Sequence, residues 1–411
     1  MNVLHVNTYA TMGGAARAAG RLHEELRRAG HSSRIVSGER VPGRPDLQNW
    51  TPRTPLWWLI HHLTWWLEVN TGLEGALNLE SWRGWRRHAE WADVINLHNL
   101  HSYYFNLLLL PRMERRAPLV WTLHDMWALT GHCAYTYGCE KHLEGCGDCP
   151  QIPGTPKVKR DATRLLYRLR RWVYGRINPV LVTPSRWLLD QTRRAPLTRR
   201  FRSVCIPNGL DLELFRPLPQ AAARASVGLP EEGRVLFFSA HFLGGRRKGG
   251  DLLLEALRML REDGLTDLHL LFAGGGGQSL RDASPYPVVD LGRVGSERLM
   301  PALYSASDVF CLPTRADNLP NGLVESIACG TPCVSFRVGG VPEVVLPGQT
   351  GWLAEPEDAD DLARCLRTAL TGEEARRRMA PVCRRIAEEE YDVRLMRRRY
   401  VQLYQERIAA C

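Results

Sequence analysis

Short apolar runs that end in glycine or polar residues alternate with amphipathic stretches along most of the chain. Val3-Leu4-His5-Val6 predicts a buried strand. Met12-Gly13-Gly14-Ala15-Ala16 predicts a tight turn, and the helix after it carries Leu22 and Leu26 on one face and stops at Gly30. Further strands are expected at 34–37, 93–98, 119–125, 179–185 and 204–210. The pattern then restarts with a strand at 235–239, a glycine-rich loop, and a helix from near Asp251 bearing Leu252, Leu253, Leu254 and Leu257. Strands at 268–277, 288–294, 308–312 and 333–336 follow. Repeated strand–turn–helix units predict an α/β chain with two doubly wound, Rossmann-like domains. The boundaries read as 1–207, a linker at 208–233, 234–385, and a terminal segment at 386–411. The linker is placed there because residues 217–233 carry prolines and alanines with little periodicity.

Two stretches depart from this rhythm. Residues 50–91 hold eight of the thirteen tryptophans (Trp50, Trp57, Trp58, Trp65, Trp66, Trp82, Trp85, Trp91), mixed with Arg53, Arg83, Arg86 and Arg87. A helical insertion packing its tryptophans inward and a membrane-interface surface both fit that composition. Residues 133–149 contain Cys133, Cys139, Cys146 and Cys149, with His142 between. The Cys-Gly-Asp-Cys end has the shape of a zinc knuckle, so a structural four-thiolate zinc site with His142 in reserve is expected; two disulfides or an iron–sulfur cluster would use the same residues. Residues 157–178 form a basic stretch that reads as a solvated amphipathic helix or as one facing an anionic membrane.

The chain has 411 residues, 44% apolar and 24% charged, with a formal net charge of +10. That balance favours anionic partners. It does not favour nucleic acid, because the cations sit at sheet edges and on helices without a recognition motif. Met1-Asn-Val-Leu-His-Val-Asn reads directly as a strand, so no secretory signal is expected, and no apolar run reaches spanning length. Eleven cysteines, most scattered singly in apolar segments, suggest a reduced, cytoplasmic setting.

Candidate chemistry gathers at strand ends, where open α/β sheets bind ligands. In the first half these are His98, His101, His124 and Asp125, expected to converge on one cleft, and the Gly13-Gly14 turn. In the second half Gly244-Gly-Arg246-Arg247-Lys248-Gly249-Gly250 puts three cations at a helix start, which suits a diphosphate. Arg293 and Val294 follow another strand. Asn321, Gly322 and Leu323 open a helix bracketed by Asp317 and Glu325, a phosphate grip beside a hydroxyl grip. The cleft between the two domains is the expected ligand site.

Pro207-Asn-Gly-Leu-Asp211, Arg247-Lys248-Gly249, Ala273-Gly-Gly275, and Asp317 seven residues before Glu325 with Ser-Ile-Ala-Cys-Gly-Thr-Pro332 after it resemble family-4 retaining glycosyltransferases of the GT-B fold. Thr122-Leu-His-Asp-Met-Trp127 and the cysteine loop are similar to a branch acting in bacterial exopolysaccharide and lipid-linked glycan assembly. The resemblance implies two domains facing across a cleft, with the last helix returning to the first. It assigns Glu325 to ribose hydroxyls, Lys248 to the donor diphosphate, His124 to the region of the donor sugar, and Gly13-Gly14 to the loop beneath it. The family carries Glu-x7-Glu; here the first position is Asp317, one methylene shorter. The family's partner arginine is also missing upstream, and Arg246 or Arg247 is expected to substitute.

The implied activity is transfer of a hexosyl unit from a UDP- or GDP-sugar, with retention, to a glycan or lipid-linked acceptor, on the cytoplasmic face of the membrane. No catalytic metal is expected, because Asp358-Ala-Asp360 reads as a helix cap rather than a metal pair. A nucleotide-sugar 2-epimerase and a metal- or redox-sensing scaffold are the rival readings.

Overall fold

The computed structural model describes the whole chain except residues 40, 42, 50–53, 153 and 411. Trp50 and Arg53 of the tryptophan-rich stretch, and Cys411, therefore lie outside the described residues. The chain divides into two compact units, residues 1–209 with 393–411, and residues 210–392.

The first unit is built on β1 (Asn2–Asn7), β2 (Ser32–Ser37), β3 (Leu47–Asn49), β4 (Val94–Leu97), β5 (Leu119–Thr122), β6 (Val180–Thr183) and β7 (Ser203–Cys205). They form one parallel sheet in the order β3-β2-β1-β4-β5-β6-β7. Its helices are α1 (Gly13–Arg28), α2 (Pro55–Thr71), α3 (Glu80–Ala89), α4 (Leu110–Glu114), α5 (Thr163–Tyr174) and α6 (Arg186–Arg194). The central strands β4, β5 and β6 are buried on both faces, which is why they read as nearly unbroken apolar runs. The order reverses between β1 and β4, and ligand crevices form beside such a switch.

The second unit holds β8 (Arg234–Phe242), β9 (Leu268–Gly275), β10 (Val288–Asp290), β11 (Val309–Leu312), β12 (Cys333–Phe336) and β13 (Gly351–Ala354), ordered β10-β9-β8-β11-β12-β13. Its helices are α7 (Gln220–Ser226), α8 (Gly250–Glu262), α9 (Gln278–Asp282), α10 (Met300–Ala306), α11 (Asn321–Ala328), α12 (Ala359–Thr371) and α13 (Glu373–Glu390). The switch here lies between β8 and β11. The segment expected as a linker is instead part of this unit. Phe215, Ala223 and Leu229 enter its core, α7 packs on α10, and Arg224 bonds to Ala306, Glu231, Gly233 and Asp308. Three apolar anchors spaced six to eight residues apart have no helical or strand period, so periodicity does not reveal them.

α14 (Val393–Ala409) packs on α1 and the sheet of the first unit. Gly209 lies so close to it that an added Cβ would stand 2.6 Å from the Val393 Cα. Asp358 caps α12, its side chain accepting from the Asp361 N–H at 2.9 Å. Among the described residues no helix is long and apolar enough to cross a membrane.

Candidate active-site residues in each unit

In the first unit three adjacent strands each bring one imidazole to a single row. His5 Nδ1 lies 3.1 Å from His98 Nε2, and His98 Nδ1 lies 3.0 Å from His124 Nε2. Burial lowers all three, His5 to about 3, His124 to about 4, and His98 well below its ordinary value, so the row is neutral. His5 Nε2 is buried without a partner. An orphaned N–H is harder to tolerate there than a bare acceptor. The row therefore settles with His5 Nδ1–H donating to His98, His98 Nδ1–H donating to His124 Nε2, and the remaining proton of His124 on Nδ1. His124 lines a small pocket with His98, His101, Asp125 and Trp127.

His101 behaves in the opposite way. Burial pushes it down, but Asp125, 3.0 Å from its Nε2, outweighs that and holds it above the ordinary value. Burial likewise pushes Asp125 up, and His101 brings it below the carboxylate range. Asp125 also accepts from the Trp127 N–H. The strand-end residues predicted to converge thus do so, as a neutral row beside an ion pair. Gly13 starts α1 with φ +89°, a conformation that favours glycine, while Glu39 holds the preceding loop through the Ala10 and Thr11 N–H groups.

Sequence reasoning missed what supports this cluster. Glu74, fully buried, accepts from Ser102 N–H at 2.7 Å and from the Trp127 indole at 3.0 Å, and faces the equally buried Arg170 at 4.0 Å. The Arg170 guanidinium lies over the Trp127 ring and donates to the Trp127 and Thr130 carbonyls. Residues 157–178 read as a solvated or membrane-facing amphipathic helix, yet Arg170 within them turns inward. Only its phase on α5, shared with the buried Leu166, Val173 and Tyr174, marks it as inward.

The cysteine loop departs from expectation. All ten described cysteines are unpaired, and among the described residues no three have sulfurs within 4.8 Å of one another; only His23, Glu24 and Asp46 gather that closely. Cys133 and Cys149 share a hydrogen bond that pushes Cys133 up and Cys149 down to about 7. Cys146 accepts from Gly131 N–H and Cys149 from Gln151 N–H. The loop is held by Lys141, which donates to the Gly147 and Asp148 carbonyls, and by Asp161, which accepts from Cys149 N–H. Among the described residues the four sulfurs are thus not drawn to one point. His142, the reserve ligand, is buried with neither ring nitrogen partnered.

In the second unit the loop after β8 carries Arg246, Arg247 and Lys248 in one turn, closed by Gly249 at φ +70°. A Cβ at Gly249 would strike the Pro313 carbonyl at 1.9 Å, so the cationic turn lies directly on the chain leaving β11. Asp317 receives Lys248 and, at 2.9 Å, Arg247. Burial pushes Asp317 up, but the two cations outweigh it and hold it below the carboxylate range. Arg315 supports the turn, donating to the Arg246 carbonyl and pairing with Asp251 and Glu357.

Asn321, Gly322 and Leu323 form the first turn of α11, with Glu325 one turn on and 1% exposed. Glu325 Oε2 accepts from the Tyr304 hydroxyl at 3.1 Å, and the Tyr304 ring packs edge-on against Phe237 and Phe310. Tyr304 is a third residue that sequence reasoning missed, since a tyrosine in a short apolar helix signals only core. Arg293 is exposed and lies over the end of β9, where a Cβ on Gly275 would meet its Nε at 2.8 Å; Val294 is half-buried beside it.

Two parallel, Rossmann-like sheets in one chain are the architecture of GT-B glycosyltransferases. Residues 12–214 match the family described as Glycosyltransferase Family 4, and residues 233–372 match Glycosyl transferases group 1. The chain belongs to the family-4 glycosyltransferases. It is 28% identical over 366 residues to the Escherichia coli (strain K12) protein named as colanic acid biosynthesis glycosyl transferase WcaC, covering 84% of this chain and 85% of that one. It is 31% identical over 281 residues to a D-inositol 3-phosphate glycosyltransferase of Mycobacterium sp. (strain JLS), covering 64% of this chain and 58% of that protein. Sucrose-phosphate synthase from Thermosynechococcus elongatus shares the fold over 100% of both chains, with a TM-score of 0.75 and 20% identity. Anabaena HepE, solved in complex with UDP-glucose, shares it over 100% of both chains, with a TM-score of 0.68 and 17% identity.

Proposed function

We propose that this glycosyltransferase moves a hexosyl unit from a UDP- or GDP-sugar, with retention at the anomeric carbon, to a glycan or lipid-linked acceptor in cell-surface polysaccharide assembly on the cytoplasmic face of the membrane. The observation that carries the reading is the Arg247–Lys248 turn set against Asp317 at the head of α11. Bond cleavage to a nucleoside diphosphate moves negative charge onto the departing phosphates as an oxocarbenium-like centre develops. Fixed cations beside a helix N-terminus stabilise that charge without reorganising. Lys248 is the residue assigned to the diphosphate, with Arg247 or Arg246 beside it. Glu325, oriented by Tyr304, is assigned to the ribose hydroxyls, and Asp317 to donor-sugar hydroxyls. No metal is needed for the leaving group in this scheme. His124, neutral and offering Nδ1–H, suits a sugar hydroxyl. The similarity to WcaC supports the pathway class, and the UDP-glucose bound by HepE supports the donor class.

A thermal-shift panel of nucleoside diphosphates and their sugars, followed by transfer assays read by anomeric NMR, tests this. Stabilisation by UDP or GDP and a product of unchanged anomeric configuration are expected. No shift with any nucleotide, or an isomerised donor in the absence of acceptor, would sink the proposal.

A further inference from the structure

The most unusual surface of the molecule is α2. Leu56, Trp58, Leu59, Leu63, Trp65 and Trp66 are each 43–63% exposed, while the buried positions of the same helix are the polar Thr64 and Glu68. Its polarity is inverted relative to a surface helix of a globular protein. The inner face is held by polar bonds. Glu68 accepts from the Leu77 and Asn78 N–H groups, and His61 meets Glu80 at 3.1 Å. Much of the surface of the outer apolar residues is therefore not used in holding α2 to its unit. A contiguous exposed apolar face of this kind marks an interaction site.

We propose that α2 lies flat in the interface of an anionic lipid bilayer and docks the enzyme there. This rests on the reading of a membrane-side acceptor and names the element that meets the membrane. Charge selects the bilayer over an apolar protein partner. The outer face of α2 carries no acidic group, its one carboxylate being the buried Glu68. Cations ring it. Lys159 Nζ lies 3.1 Å from Asn70 Oδ1 near the end of the helix, and the Arg160 carbonyl packs at Gly72. On α3, Arg83 covers the Trp57 ring, and Arg86 is exposed. α5, which begins beside Gly72, repeats the pattern, with Leu165 and Trp172 exposed among Arg164, Arg168 and Arg171. Tryptophan and leucine on one face, with lysine and arginine at the margin, are the chemistry of an interfacial helix drawn to acidic headgroups. At 17 residues α2 is about 25 Å long, suited to lying along the interface.

The experiment is co-sedimentation of the full chain with vesicles of phosphatidylglycerol and phosphatidylethanolamine, against phosphatidylcholine alone. Strong partition onto the anionic vesicles and weak partition onto phosphatidylcholine are expected. W58E/W66E should cut the partition coefficient more than tenfold. K159E/R160E should cut it several-fold and flatten its dependence on salt. Because these side chains are exposed, both variants should keep the wild-type melting curve and any stabilisation by UDP or GDP. Equal partition onto both vesicle types, or wild-type binding by W58E/W66E, overturns the proposal. So does a wild-type dimer that W58E/W66E converts to monomer, since a second copy would then own the face. Vesicle binding without any nucleotide shift would leave the docking intact and remove the donor assignment instead.

Discussion

The two units solve the same problem at their strand ends by opposite means. Each must present polar atoms at the edge of a buried parallel sheet. The first does so with a neutral row of imidazoles, His5, His98 and His124, whose charge is removed by burial. The second does so with charges that cancel in part, Lys248 and Arg247 on Asp317. A neutral row can choose between hydroxyl donors and acceptors but contributes little field. Charged groups contribute field but little discrimination. On the proposed reading, Lys248 in the second unit takes the leaving-group charge and Asp317 there meets donor-sugar hydroxyls, while His124 in the first unit adds an uncharged contact to the sugar.

Variants can break that division. Lys248→Ala should lower the transfer rate by about 10²–10³-fold, the scale of losing one pre-organised charge stabiliser. His124→Ala should cost only about tenfold, and equal losses would erase the contrast. Asp317→Asn should come next, at roughly ten- to a hundredfold, because Lys248 and Arg247 lose the group that positions them. The conservative Asp317→Glu should instead change the ranking of donor sugars, measured as kcat/KM across a UDP- and GDP-sugar panel. His98→Phe removes the acceptor of one bond and the donor of the next. We expect a severalfold rise in donor KM with kcat nearly unchanged, and ¹⁵N NMR should show His124 leaving its single Nδ1–H form. A purely packing role for His98 would leave that tautomer unmoved.

The smallest expected effect concerns Glu68. Burial, with Glu74 adding to it, pushes its carboxyl up to about 8, against 4.5 in an unfolded chain. The folded state keeps the extra proton between those values. Its stabilising contribution is therefore full below pH 4.5, declines as pH rises through the window, and is gone above pH 8. Glu68→Gln is neutral throughout, so its melting temperature should fall by a few degrees less than wild type between pH 6 and pH 9. A parallel pH dependence in both proteins would show that Glu68 does not hold this proton.

The strands and glycine turns were legible because parallel sheets buried on both faces leave unbroken apolar runs, and because tight turns demand glycine. Lys248, Asp317 and Glu325 were legible for a related reason, since chemistry at strand ends sits at predictable places. Glu74, Arg170 and Tyr304 were not. Each acts by reaching a group far away in the chain, Ser102 and Trp127 for Glu74, Glu325 for Tyr304, and local spacing carries no trace of such a partner. The bonds that Lys141 and Asp161 make to the backbone of the cysteine loop were hidden for the same reason, since cysteine spacing carries no trace of them.

The return of α14 to the first unit has a consequence for the order of synthesis. The hydroxyls of Tyr400 and Tyr404 reach Thr122 and Asn96, and the helix closes one face of a sheet whose strands end near residue 205. A ribosome delivers residues 210–392 in full before it delivers α14. The unit translated first is therefore the last to finish, waiting with β4 and β5 uncovered while the unit translated second is already complete.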